Sequence, residues 1–164
     1  MATKTDFSPE EWKLLLESPM MTSMAVTAAE PSGLWGMLKE SFASATDLAK
    51  AASDAGANSL VKAVATDFTT SEGRSTARDD LKAKLAGSKA ADIRVKSIDA
   101  LKQVSALLDT KAPGDAVAFK SWLRQISENV AEAAEEGGFM GFGGVKVSEA
   151  EKATLADISR ALGV

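Results

Sequence analysis

The chain contains 164 residues, a length that fits one domain of ordinary size. It has no cysteine and no histidine, which excludes disulfides, thiolate metal sites, thiol nucleophiles and histidine acid–base chemistry. The net charge of −4 is modest and identifies no class of partner. We therefore expect a single domain over residues 1–164, without a cofactor, and a function that is not enzymatic.

The chain opens with a strong helix start. Ser8-Pro9-Glu10-Glu11 is a capping box with proline at the first helical position, and Trp12, Leu15 and Leu16 follow it on one apolar face. Ser18-Pro19 predicts the start of a second helix. That run should end at the break formed by residues 31–33.

The middle of the chain predicts three further helices. The first runs from about Leu34 to Ala55, and Asn58 caps the next, whose inner face is Val61, Val64, Ala65 and Phe68. Ser75 then opens a short charged helix that ends between residues 85 and 87. On this helix we interpret four charged residues as a solvated face: Asp79, Asp80, Lys82 and Lys84.

The second half of the chain carries the longest apolar stripes. A helix starting at Ser88 has the stripe Val95, Ile98, Leu101, Val104 and Leu108. Asp115 is predicted to cap the following helix, whose stripe is Phe119, Leu123, Ile126, Val130 and Ala133. A second capping box starts at Ser148, and the terminal helix presents Leu155, Ile158 and Leu162 before Gly163 ends it.

These signals predict an all-α fold, a single compact helical bundle of seven or eight helices. No stretch alternates with period two as a half-buried strand does. No segment approaches the roughly 18 consecutive apolar residues of a membrane span, and residues 1–6 lack the design of a signal peptide. Residues 74–102 are basic but interrupted by acids, and the aromatic residues lie on predicted inner faces. We expect a cytoplasmic protein that binds neither membrane nor nucleic acid.

The segment Gly137–Gly144 is unlike any helix or simple turn. Five of its eight residues are glycine, and the others are Phe139, Met140 and Phe142. Three interpretations stay open. The large side chains fill the core while the glycines turn the chain, or they form an exposed docking loop for a partner or an apolar ligand. The third is a phosphate-cradling loop, although the segment matches no Walker pattern and follows no predicted strand.

Two further features suggest sites. Methionines gather early in the chain, where they either fill gaps in the core or line an apolar ligand cavity made by Met20, Met24 and Trp35. Carboxylates are the remaining acid–base groups, so a carboxylate-dependent, magnesium-using enzyme is a further alternative. It predicts at least two acids buried together in a cleft, with raised pKa values.

The closing segment 136–151, followed by the amphipathic helix to Leu162, resembles the C-terminal ends of small uncharacterised bacterial helical proteins. That resemblance implies a bacterial cytosolic setting and no assigned activity. The last helix is also similar to the final helix of TerB-like tellurite-resistance domains. Their acidic metal-binding positions have no match here, so that function is not carried over.

The leading functional hypothesis is a non-enzymatic helical interaction module. Its partner is another protein or a second copy of the chain, making a homo-oligomer, and contact runs through the loop Phe139–Phe142 and the terminal helix. The alternative is a binder of a small apolar ligand in the cavity of Met20, Met24 and Trp35.

Overall fold

The computed structural model describes residues 1–29, 46–135 and 148–164. Within these ranges the chain is helical and contains no strand, so the predicted all-α bundle is confirmed. A 3₁₀ turn at Lys4–Asp6 precedes the α-helices. They are α1 (Pro9–Thr27), α2 (46–53), α3 (Ser59–Thr69), α4 (Ser71–Leu85), α5 (Ala90–Lys111), α6 (Pro113–Glu135) and α7 (Glu149–Leu162).

Three predicted caps are confirmed. Ser8 Oγ accepts from the Glu11 amide at 3.3 Å while the Glu11 carboxylate accepts from the Ser8 amide at 2.7 Å. Ser148 and Glu151 form the same reciprocal pair at the start of α7. Asn58 Oδ1 accepts from the amides of residues 60 and 61. These caps satisfy amides that the first helical turn leaves without partners.

α1 is the central helix, in contact with α3, α4, α5, α6 and α7. The predicted helix start at Pro19 is wrong, because α1 continues through this proline. Pro19 has no N–H to donate to the carbonyl of Leu15, one turn earlier. The Ser18 hydroxyl donates to that carbonyl instead, at 2.7 Å. Packing on all sides and this substitute hydrogen bond keep the helix intact.

Two other helix starts differ from the prediction. α4 begins at Ser71 rather than Ser75, because the Thr70 hydroxyl accepts from the amide of Gly73 at 2.9 Å and caps the helix earlier. Asp115 lies inside the first turn of α6 and is not its cap. Its buried carboxylate accepts from the Ala2 amide at 2.7 Å and from Asn58 Nδ2 at 2.8 Å, so it fastens the N-terminal residues to the bundle.

The main core lies between α1, α3, α5, α6 and α7. Its fully buried side chains include Leu15, Leu60, Val64, Leu101, Val104, Leu108, Phe119, Leu123, Ile126, Val130, Ile158 and Leu162. Most predicted stripe residues on α5 and α6 are therefore buried as expected. Val95 is an exception, with 60% of its surface exposed, since in this part of α5 the residue that faces the bundle is the fully buried Ser97.

Candidate functional site

A second, smaller hydrophobic cluster lies beside the main core, under α4. We call it the methionine cluster: Met21, Leu81 and Ala100 are buried in it, and Met20, Met24 and Leu85 are partly buried against them. The structure thus brings together Met20 and Met24, two of the three residues predicted to line a ligand cavity. The third, Trp35, lies outside the described residues, so the cavity stays a prediction.

α4 covers the methionine cluster with little apolar contact of its own. Its buried residues are Gly73, Ala77 and Leu81, one on each successive turn. Two of these three side chains are absent or a single methyl group, so α4 removes little apolar surface from water. Polar contacts with α1 therefore account for a larger share of the attachment of α4.

Those polar contacts centre on Glu17 of α1, whose side chain is fully buried. Lys84 of α4 reaches Glu17 Oε2 at 2.7 Å and Asp80 Oδ2 at the same distance, so one ammonium group joins two carboxyl groups. Lys13 of α1 approaches Asp80 Oδ1 at 3.6 Å from the other side. We call Glu17, Asp80, Lys84 and Lys13 the carboxyl cluster.

The predicted solvated face of α4 is therefore partly wrong. Asp80 and Lys84 lie four residues apart, on the side of α4 that faces α1, and they pair with a buried acid. Asp79 fits the prediction, since 68% of its side chain is exposed and its ion pair is with the adjacent Arg78. The sequence pattern of this helix contains no sign of the distinction, because the partner acid lies 63 residues earlier.

The two carboxyl groups of the cluster have opposite pKa shifts. Burial, reinforced by the hydrogen bond and charge of Asp80, raises the pKa of Glu17 to about 7 against the opposing effect of Lys84. Hydrogen bonds from Glu17 and Lys84 lower the pKa of Asp80 to about 2. Below neutral pH the proton therefore resides on Glu17 and the charge on Asp80. Glu17 Oε2 accepts from Lys84, and the buried Oε1 receives no hydrogen bond from the described residues.

A carboxyl group that titrates near neutrality is the kind of group that acid–base catalysis uses. Glu17 has a pKa in that range, and its burial agrees with the hypothesis of a carboxylate-dependent enzyme. It does not meet the requirement for a cleft, since Glu17 has no exposed surface that a substrate could touch. Among residues 1–29, 46–135 and 148–164, no group of three or more acids is placed to hold a metal ion.

Sequence reasoning missed Glu17, although a signal was present. Glu17 follows three consecutive leucines, four residues after Lys13 and four before Met21, in a helix that is apolar on nearly every side. A lone acid in such a setting needs a partner from another helix, because an unpaired buried charge is too costly. The sequence alone does not say which helix supplies that partner.

The predicted docking residues Phe139, Met140 and Phe142 lie outside the described residues, and their role stays a prediction. In the part of the chain that is described, no helix is both long enough and apolar enough to cross a membrane. No family model matches the chain, and neither a curated protein nor a solved structure is significantly similar to it. Function must therefore be argued from the geometry of the two clusters.

Proposed function

We propose that the protein is a helical interaction module that binds an amphipathic helix of a partner protein at the methionine cluster. The observation that carries the proposal is the pairing of an adaptable methionine surface on α1 with a thinly packed covering helix, α4. Methionine side chains are unbranched and flexible, and surfaces rich in them accept helices of different sequence.

The chemistry of the partner helix follows from α4, which occupies the groove in the free protein. α4 places Leu81 and Leu85, four residues apart, in the methionine cluster beside residues of α1 and α5, while Ala77 packs into the main core and Lys84 reaches the buried Glu17. A partner helix that copies α4 has two large apolar residues at the positions of Leu81 and Leu85. It has a lysine at the position of Lys84, three residues after the first of the two. A partner with larger apolar side chains than Ala77 would bury more surface than α4 does.

A peptide with the sequence of residues 70–88, labelled with fluorescein, is the probe that tests this proposal. Its anisotropy is measured on addition of the full-length protein, either unchanged or with Leu81→Ala. Truncating Leu81 weakens the hold of α4 by about 2–3 kcal/mol, so the peptide should bind the variant at least about tenfold more tightly. Met24→Asp, placed in the Leu81→Ala protein, should abolish that gain.

The matched control is the same peptide with Leu81→Glu and Leu85→Glu, which keeps the length but removes the apolar face. Equal binding of the control peptide, or equal binding of the probe to the unchanged protein and to Leu81→Ala, would overturn the proposal. A concentration-dependent dimer of the Leu81→Ala protein, detected by light scattering without any peptide, would instead make a second copy of the chain the occupant.

A further inference from the structure

α4 is attached to the bundle by few apolar side chains and by one buried polar junction. The junction joins Glu17 of the central helix to Asp80 and Lys84 of α4, and within the described ranges the apolar contacts of α4 are those of Ala77, Leu81 and the partly buried Leu85. Asp80 pairs with Lys84 and Lys13, whereas the fully buried Glu17 pairs with Lys84. Burial disfavours the ionised form of Glu17, and a second negative charge beside Asp80 adds to that cost.

We infer that the carboxyl cluster is a proton-dependent latch, in which the proton held between Glu17 and Asp80 keeps α4 closed over the methionine cluster. When that proton leaves to solvent, Glu17 and Asp80 are both anionic and face each other across Lys84. Water then has to reach Glu17, and the movement that admits it is the opening of α4. The consequence for partner binding rests on the docking function proposed above; the latch itself does not require a partner.

The surroundings of Glu17 make this one group decisive. The charged side chains that act on it are Asp80 and Lys84, both from α4. Lys13, from α1, pairs with Asp80 and Glu10 and not with Glu17. From α5, Lys96 donates to the Lys84 carbonyl and to Ser88 Oγ. In the described part of the chain, no charged side chain of α5, α6 or α7 is among the groups that shift the Glu17 pKa.

The direction of the pH effect follows from where the proton is bound. In the closed form Glu17 keeps its proton up to about pH 7, whereas in the open form it has the ordinary value of 4.5. As pH rises from 4.5 to 7 the open form loses the proton first, so opening becomes easier across this interval and levels off above it. The contribution of Glu17 to the latch is therefore complete below pH 4.5 and falls steadily between pH 4.5 and 7.

Hydrogen–deuterium exchange of the full-length protein tests the latch, with amide protection factors compared at pH 5 and pH 7.5. The protection of α4 amides should fall at least about tenfold over this interval, while the protection of α6 amides stays constant. Glu17→Gln should abolish the fall, because the glutamine amide donates to Asp80 as the protonated acid does and cannot ionise. The matched control, Asp79→Asn, changes an exposed acid on the same helix and should behave as the unchanged protein.

Asp80→Asn is a second variant that removes the facing charge and should also flatten the pH response, should Glu17→Gln fail to fold. The latch is overturned if α4 protection does not depend on pH, if the variants retain the dependence, or if α6 loses protection in parallel with α4. If the latch holds while the α4 peptide does not bind, the docking function fails and the latch stands.

Discussion

Helices α4 and α6 are both amphipathic, yet they hold to the bundle in different ways. α6 buries four large side chains completely, at steps of four, three and four residues: Phe119, Leu123, Ile126 and Val130. α4 buries Gly73, Ala77 and Leu81, and adds the polar junction between Lys84, Asp80 and Glu17. The period of the buried face is similar in both helices, but the size of the side chains on it is not.

The difference teaches that a helical period locates a contact face without fixing how strongly that face holds. The free energy of attachment rises with the apolar area removed from water, and α6 removes far more than α4. Helices with few buried apolar contacts open locally at free energies below that of global unfolding. α6 is therefore part of the structural core, while a local opening of α4 costs less free energy than one of α6.

The largest expected effect is at the centre of α6. Phe119→Ala removes a fully buried ring that packs edge-on against Trp122 at a centroid distance of 5.3 Å. We expect the free energy of unfolding to fall by about 3–5 kcal/mol, measured by urea denaturation. Val117→Ala, at a residue 71% exposed on the same helix, is the control and should change stability by less than about 0.5 kcal/mol. Similar losses in both variants would contradict the contrast between α6 and α4.

The pH dependence of stability is the next largest effect. Because the folded protein raises the pKa of Glu17 from 4.5 to about 7, its contribution to stability is complete below pH 4.5 and is lost as pH rises to about 7. The free energy of unfolding should fall by roughly 2–3 kcal/mol over this interval. The lowered pKa of Asp80 acts in the opposite sense, since its contribution is present above pH 3.8 and lost as pH falls toward 2.

Glu17→Gln should remove the loss of stability between pH 4.5 and 7 and leave the loss below pH 3.8 largely in place. Urea denaturation at intervals of one pH unit is the measurement. A slope in Glu17→Gln equal to that of the unchanged protein would assign the pH dependence to other groups. It would also remove the electrostatic part of the comparison, leaving only the difference in apolar area between α4 and α6.

The sequence predicted best the features that depend on residues close together in the chain. The capping boxes at Ser8 and Ser148 and the cap at Asn58 are confirmed because each hydrogen bond joins residues two or three apart. The stripe of α6 is confirmed because its period is regular and its side chains are large. These local signals were enough to establish an all-α bundle.

What the sequence did not predict depends on contacts between distant segments. Pro19 reads as a helix start, and only the burial of α1 on nearly every side explains why the helix continues through it. The sequence treats Glu17, Asp80 and Lys84 as separate charges, since the first two are 63 positions apart and no periodicity links them. Local rules fail most at such tertiary sites, and here the failure coincides with the candidate functional site.

The smallest expected effect concerns how α4 is joined to α3. Replacing a glycine with alanine should lower the free energy of unfolding at Gly73 and raise it at Gly114. At Gly73, an added Cβ would overlap the backbone carbonyl of Asp67, which already accepts from the Thr70 hydroxyl at the corner between α3 and α4. At Gly114, in the first turn of α6, nothing lies within 4 Å of the same position. Alanine is otherwise the better helix residue, so space alone decides the outcome.

We expect Gly73→Ala to lower the free energy of unfolding by roughly 1–3 kcal/mol, and Gly114→Ala to raise it by up to about 1 kcal/mol. Because the overlap lies at the start of α4, exchange protection should fall more in α4 than in α6 for Gly73→Ala. If Gly73→Ala stabilises the protein as Gly114→Ala does, the backbone between α3 and α4 adjusts to the added methyl group without loss of stability. The close approach at Gly73 would then contribute nothing to holding α4, and its attachment would rest on the carboxyl cluster and its apolar contacts.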